Sequence, residues 1–166
     1  MKKSKQTAGH RLYRIWTRLH NKPFGKWLFS QVLAFNVPYS GSIKARVTAL
    51  SPGHCRCLLK HRRRNTNHLN SVHALATANL GELVSGLAML TGLPDNVRGI
   101  VTRIDSEYLK KARGNLTATA DVTIPQVAKA KTEHQVQAHI FDETGDEVTR
   151  VTVSWLLSPI ISNVHP

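Results

Sequence analysis

The sequence predicts an α+β fold in which an antiparallel sheet packs on one long helix. Three observations carry that prediction. Segments of period two, alternately apolar and polar, lie on both sides of a single long segment of helical period. Short turns such as Ser51-Pro-Gly53 and Glu143-Thr-Gly-Asp146 separate them, as between antiparallel neighbours. A basic helical stretch precedes all of this, so strands are gathered around one helix rather than alternating with several.

Residues 1–9 (MKKSKQTAG) read as a tail. From His10 to about Phe35 the pattern is helical: Leu12, Ile15, Trp16 and Leu19 share one side, and Arg11, Arg14 and Arg18 the other. Lys22-Pro23 breaks it, and a second short helix carries Trp27, Leu28, Val32 and Phe35 up to Pro38. Such a basic arm can pack on its own domain or lie on a membrane surface. The expected division is a basic tail and amphipathic arm over 1–38 and the main domain over 39–166.

After Gly41 the period becomes two. Ile43, Ala45, Val47 and Ala49, then Cys55, Cys57 and Leu59, predict a hairpin. Past the long helix, Gly99–Leu109 reads as a strand with polar interruptions. Leu116 to Ile124, Val136 to Ile140 and Val151 to Trp155 predict three more strands.

A chain of 166 residues with 41% hydrophobic and 20% charged residues is long enough for one packed core. Its 23 Lys and Arg against 10 Asp and Glu, net +13, favour an anionic partner without choosing among nucleic acid, membrane and phosphate-bearing small molecules. Specific nucleic-acid binding is not expected, because aromatic residues do not interleave with the basic ones as strand stacking requires. Cys55 and Cys57 are too few for a four-ligand zinc site and share one strand face, which makes them small buried residues. No apolar run approaches the ~18 residues that span a bilayer, and a cytoplasmic location is the default. Lys60-His-Arg-Arg-Arg64 is the densest basic cluster, either a solvated strand end or a phosphate, RNA or lipid contact.

The central segment, capped by Asn70 or Ser71 and stopped by Gly92-Leu-Pro94, spans about six helical turns. At about 100° per residue, Ala74, Ala78, Gly81, Ser85, Ala88 and Gly92 form one narrow stripe of small residues. Ala76, Leu80, Leu83, Leu87 and Leu90 fall opposite. A helix with both faces apolar is touched on both sides, and its one charge, Glu82, lies between them. A carboxylate there either reaches solvent or an arginine as a structural acid, or is held for chemistry. His73 lies nine residues upstream, on the opposite side of the helix and about 13 Å along it. One chain cannot bring the two together, whereas a two-fold dimer can build two identical sites from both chains.

Asn67-His-Leu-Asn-Ser-Val-His73-Ala74, followed by the helix with Glu82, resembles the hotdog-fold acyl-CoA thioesterases of the phenylacetyl-CoA thioesterase-like branch. The resemblance covers about residues 40–157. With Val72-His-Ala-Leu-Ala76 and Tyr108-Leu-Lys-Lys-Ala-Arg-Gly114 included, the chain is most similar to an uncharacterised hotdog branch. The resemblance implies a sheet wrapped round one helix and a homodimer or homotetramer acting on acyl-CoA or a related thioester. Glu82 would be the general base or nucleophile, taken from the neighbouring chain, and the Ala74 N–H the oxyanion donor. His73 and Asn67 would shape the site and orient the carbonyl or the attacking water. No metal or separate cofactor is implied, coenzyme A being part of the substrate. The family usually has glycine after the histidine, where this chain has Ala74, and a glycine between Asn67 and His73 that is missing here. Lys110, Lys111 and Arg113, after a strand, could hold the coenzyme A phosphates or be a solvated strand end. The alternative is a non-catalytic acyl-CoA or lipid-binding protein held at a membrane surface by the arm.

Overall fold

The computed structural model describes residues 7–127 and 131–160. Helix α1, Ala8–Leu19, starts at Thr7, whose hydroxyl accepts the His10 N–H. Residues 1–6 of the expected tail lie outside the described residues, while Ala8 and Gly9 already belong to α1. A Cβ at Gly9 would overlap the Leu90 carbonyl, so the arm begins in close contact with the central helix. The α1 stripe turns inward: Trp16 is buried and meets Phe29 of α2, Gly25–Asn36, edge-on at 5.1 Å. A one-turn helix, α3, Pro38–Gly41, follows.

The strands are β1 Arg46–Ser51, β2 His54–Leu59, β3 Val97–Tyr108, β4 Leu116–Asp121, β5 Thr132–Phe141 and β6 Glu147–Pro159. They form one sheet in the order β1-β2-β4-β5-β6-β3, with every neighbour antiparallel. Cys55 and Cys57 are fully buried on one face of β2, beside Ala118 and Ala120 of β4, and burial pushes the Cys55 thiol up from its ordinary pKa. The strand predicted to run to Ile124 ends at Asp121, although the Val122 N–H still bonds the Gly53 carbonyl at 2.8 Å.

Two bulges change what alternation predicts. In β1 the register slips between Val47 and Ala49, so Leu50 takes the core position expected for Ala49. In β3 it slips between Val101 and Arg103. Val97, Gly99 and Val101 face the helix before the bulge; Ile104, Ser106 and Tyr108 face it afterwards. An inserted residue moves every later side chain to the other face.

Helix α4, Ala74–Gly92, packs against all six strands of the sheet. Its N-cap is His73, not Asn70 or Ser71: Asn70 has φ of 53° and belongs to the preceding turn, which the Asn67 side chain organises. The small stripe is the closely packed side. A Cβ on Gly81 would lie 2.5 Å from Val151, and one on Gly92 2.5 Å from Ile124. Leu90 lies toward α1, so the helix is touched on both sides, as its two apolar faces predict. One expectation needs amending, since the 19 residues of α4 are long and apolar enough to cross a bilayer by length and composition. With 67% of that stretch buried beneath sheet and arm, it is the core helix of this domain.

Candidate active site

Glu82 leaves α4 toward the uncovered strand β3. Between helix and strand runs a cleft of about 670 Å³, walled by Leu75, Ala78 and Asn79 of α4 and by Val101, Ile104, Ser106 and Tyr108 of β3. Tyr39 and Ser40 of α3 close one end. The Ser40 hydroxyl donates a long hydrogen bond to Glu82 Oε2 at 3.5 Å, and no cation pairs with Glu82 among the described residues. Burial pushes the carboxyl above its ordinary pKa of 4.5, with the Ser40 hydroxyl pulling weakly the other way. Of the two structural alternatives, pairing with an arginine is not seen among the described residues, whereas an acid reaching solvent through the cleft is compatible with its partial exposure. A half-buried carboxylate without a counter-charge is poised to take a proton.

The other predicted residues gather at the start of α4. A second recess of about 370 Å³ is lined by Asn67, Ser71, Ala74, Thr77, Lys110 and Lys111, among others. Exposed His73 caps the helix through Nδ1, which accepts the Leu75 N–H at 3.1 Å. The His73 carbonyl accepts the Ala76 and Thr77 N–H groups. The Ala74 N–H has no partner among the described residues, and it sits at the positive end of a 19-residue helix, where a developing negative charge is stabilised. Asn67 Oδ1 is occupied by the Leu69 and Ser71 N–H groups, so only its amide nitrogen can face a ligand.

Lys110 is held by Asp142 at 3.1 Å and Asp146 at 2.5 Å, and an incoming phosphate would compete with both. Those contacts also hold the Asp142 carboxyl down at about 2, the Thr144 hydroxyl contributing most. Lys111 faces the recess without an ion pair among the described residues, while exposed Arg113 and His73 fall outside both linings. Tyr108 stands between the two spaces, lining both and donating its hydroxyl to the Ala74 carbonyl at 3.3 Å. Within one chain Glu82 and Ala74 thus belong to different spaces.

Several lining residues escape sequence reasoning. Asn79, one turn before Glu82, donates to the Tyr39 carbonyl at 3.3 Å and keeps a buried Oδ1 without a partner among the described residues; its spacing of three from Glu82 was a usable signal. Ser40 carried none, lying 42 positions from the acid it touches. The buried hydroxyls of Ser71 and Thr149, unpartnered among the described residues, line the second recess. Among the described residues no three His, Cys, Asp or Glu side chains lie together as a metal site would need.

A long helix wrapped by one antiparallel sheet is the hotdog fold, and solved structures agree. A structural-genomics protein designated APC5556 is 26% identical, with a TM-score of 0.77 over 92% of this chain and 99% of its own. A Pseudomonas aeruginosa protein of unknown function, PA5026, described as a probable thioesterase, is 21% identical, with a TM-score of 0.71 over 78% of this chain and 93% of its own. The Haemophilus influenzae thioesterase HI1161 is 17% identical, with a TM-score of 0.67 over 89% and 99%. No curated protein sequence gives a match. Residues 25–157 match the family described as "Domain of unknown function (DUF4442)", and the chain belongs to it.

Proposed function

We propose that this protein hydrolyses acyl-CoA-like thioesters as a homodimer, with Glu82 of one protomer and the Ala74 N–H of the other at each site. The observation that carries the reading is the uncovered edge of β3. Twelve residues long, β3 pairs only with β6 among the described residues, and beside its free edge lies the Glu82 cleft. Long unpaired edges invite a partner strand. The Tyr108 end of β3 lies at the start of α4, and the Gly99 end lies by Leu90 near its finish. A two-fold pairing of β3 with its copy would therefore carry the partner's helix start toward this chain's cleft. That supplies the acid and the donor which one chain keeps apart.

In the proposed step, water adds to the thioester carbonyl carbon as its proton passes to Glu82. The carbonyl oxygen becomes an oxyanion held by the Ala74 N–H. Collapse breaks the carbon–sulfur bond, and the departing thiolate takes the proton from Glu82, leaving carboxylic acid and thiol. Direct attack by Glu82 would instead expel the thiolate to form a mixed anhydride, and hydrolysis of that anhydride at the Glu82 carbonyl would leave solvent ¹⁸O in the Glu82 carboxylate after a single turnover. Support for a thioester substrate comes from neighbours named thioesterases and from Lys110 and Lys111 at the second recess. The test is thiol release from a panel of acyl-CoAs by wild type and Glu82→Gln. A Glu82→Gln variant as active as wild type would exclude the mechanism. Tight acyl-CoA binding without release by wild type would make the protein a carrier.

A further inference from the structure

We propose that the outward face of α2, with the basic pocket beside it, docks on an anionic lipid bilayer. This does not rest on the thioesterase reading. Helix α2 buries Phe29, Ser30 and Leu33, and an ordinary surface helix would present polar residues on its opposite side. Instead that side carries Phe24, Leu28 and Phe35, 82%, 44% and 86% exposed, with Trp27 on its flank at 51%. No described residue covers them. Of the arm that the sequence offered to a membrane, the α1 stripe packs inward against the core, and no described residue covers this second stripe on α2.

Trp27 and Gln31 of α2 also line a pocket of about 410 Å³ whose wall includes Lys44, Arg46, Lys60 and Arg62 and no acid. The charge distribution explains the last point. All ten acidic residues lie at or after Glu82, whereas the first 81 residues carry fifteen Lys and Arg. Among the described residues no Lys or Arg before Glu82 forms an ion pair.

An apolar stripe alone would suit a second copy, and a basic pocket alone would suit any polyanion. Here they share Trp27. A second copy would bring the same excess of positive charge to the same face, and a nucleic acid would leave Phe24 and Phe35 in water. A bilayer offers hydrocarbon and phosphate at adjacent depths, with the interfacial zone that tryptophan prefers between them.

Co-sedimentation of the full chain with vesicles of phosphatidylglycerol and phosphatidylcholine, against phosphatidylcholine alone, at about 0.15 M salt tests this. Wild type is expected on the anionic vesicles. Phe24→Asn combined with Phe35→Ser removes two exposed rings, asparagine tolerating the left-handed φ of 58° at position 24. It should lower partitioning by roughly tenfold with the melting temperature unchanged. Lys60→Gln with Arg62→Gln should lower it by roughly 10- to 30-fold. Vesicle binding undiminished in the phenylalanine variant would overturn the proposal, leaving charge attraction that any polyanion could satisfy. So would a fall in its mass by light scattering, which would make the stripe a contact between copies.

Discussion

The two recesses beside α4 share a wall, Tyr108, and differ in nearly everything else. The Glu82 cleft is mostly apolar and holds an acid with a raised pKa and no counter-ion. Among the described residues the recess at the helix start is lined by no acid; it has an unsatisfied N–H, an asparagine, two unpartnered hydroxyls and two lysines. One space can accept a proton and the other can stabilise an anion. Within one chain neither does both, and this difference is what the proposed two-chain site would resolve.

The strongest way to break that comparison is to remove each half. Glu82→Gln should lower kcat by about 10²- to 10⁴-fold, read by thiol release. Ala74→Pro deletes the proposed donor at the first helical position, where proline is tolerated and where extended His73 already has the backbone that proline demands of its neighbour. It should lower kcat by about 10²- to 10³-fold while the far-ultraviolet circular dichroism stays unchanged.

A sharper experiment combines the two. Co-expressed Glu82→Gln and Ala74→Pro chains should form mixed dimers with one intact and one doubly defective site. A random mixture then recovers roughly a quarter of wild-type activity. Recovery to no more than the residual activity of the single variants would place acid and donor within one protomer, against the helix geometry.

Smaller effects test the walls. Ile104→Lys puts a charge on the exposed part of β3 and should weaken self-association by tenfold or more, measured by light scattering across a dilution series. Smallest is the effect of Glu82 on stability. Its raised pKa means the folded chain holds that proton more tightly than the unfolded one, so Glu82 costs stability as pH rises from its ordinary 4.5 through the raised value. Glu82→Gln should therefore melt slightly higher than wild type at neutral pH, and the difference should vanish below about pH 4.5. An equal difference at all pH values would mean that the carboxylate is not desolvated.

What was legible in the sequence follows local rules. Periods of two and 3.6 located the strands and α4, and the small and large stripes of α4 foretold contact on both sides. The spacing of His73 and Glu82 along one helix separates the two within a chain, because helix geometry fixes both rotation and rise. The N-cap was misplaced because Asn70 and Ser71 are good capping types, whereas the turn held by Asn67 spends them before the helix begins.

Tertiary structure decided what spacing along the chain cannot carry. The bulge in β3 turns Ile104, Ser106 and Tyr108 toward α4 and so makes the cleft wall, and neither bulge leaves a mark in composition. Ser40 reaches Glu82 only because the arm folds back over the helix. Of the two apolar stripes on the arm, packing consumed the one on α1 and left the one on α2 in solvent. The sequence by itself determined which residues are chemically able and which of them lie apart along one helix. Only the folded chain decided which are buried and which stand open to a partner, because burial depends on contacts between segments that are distant in sequence.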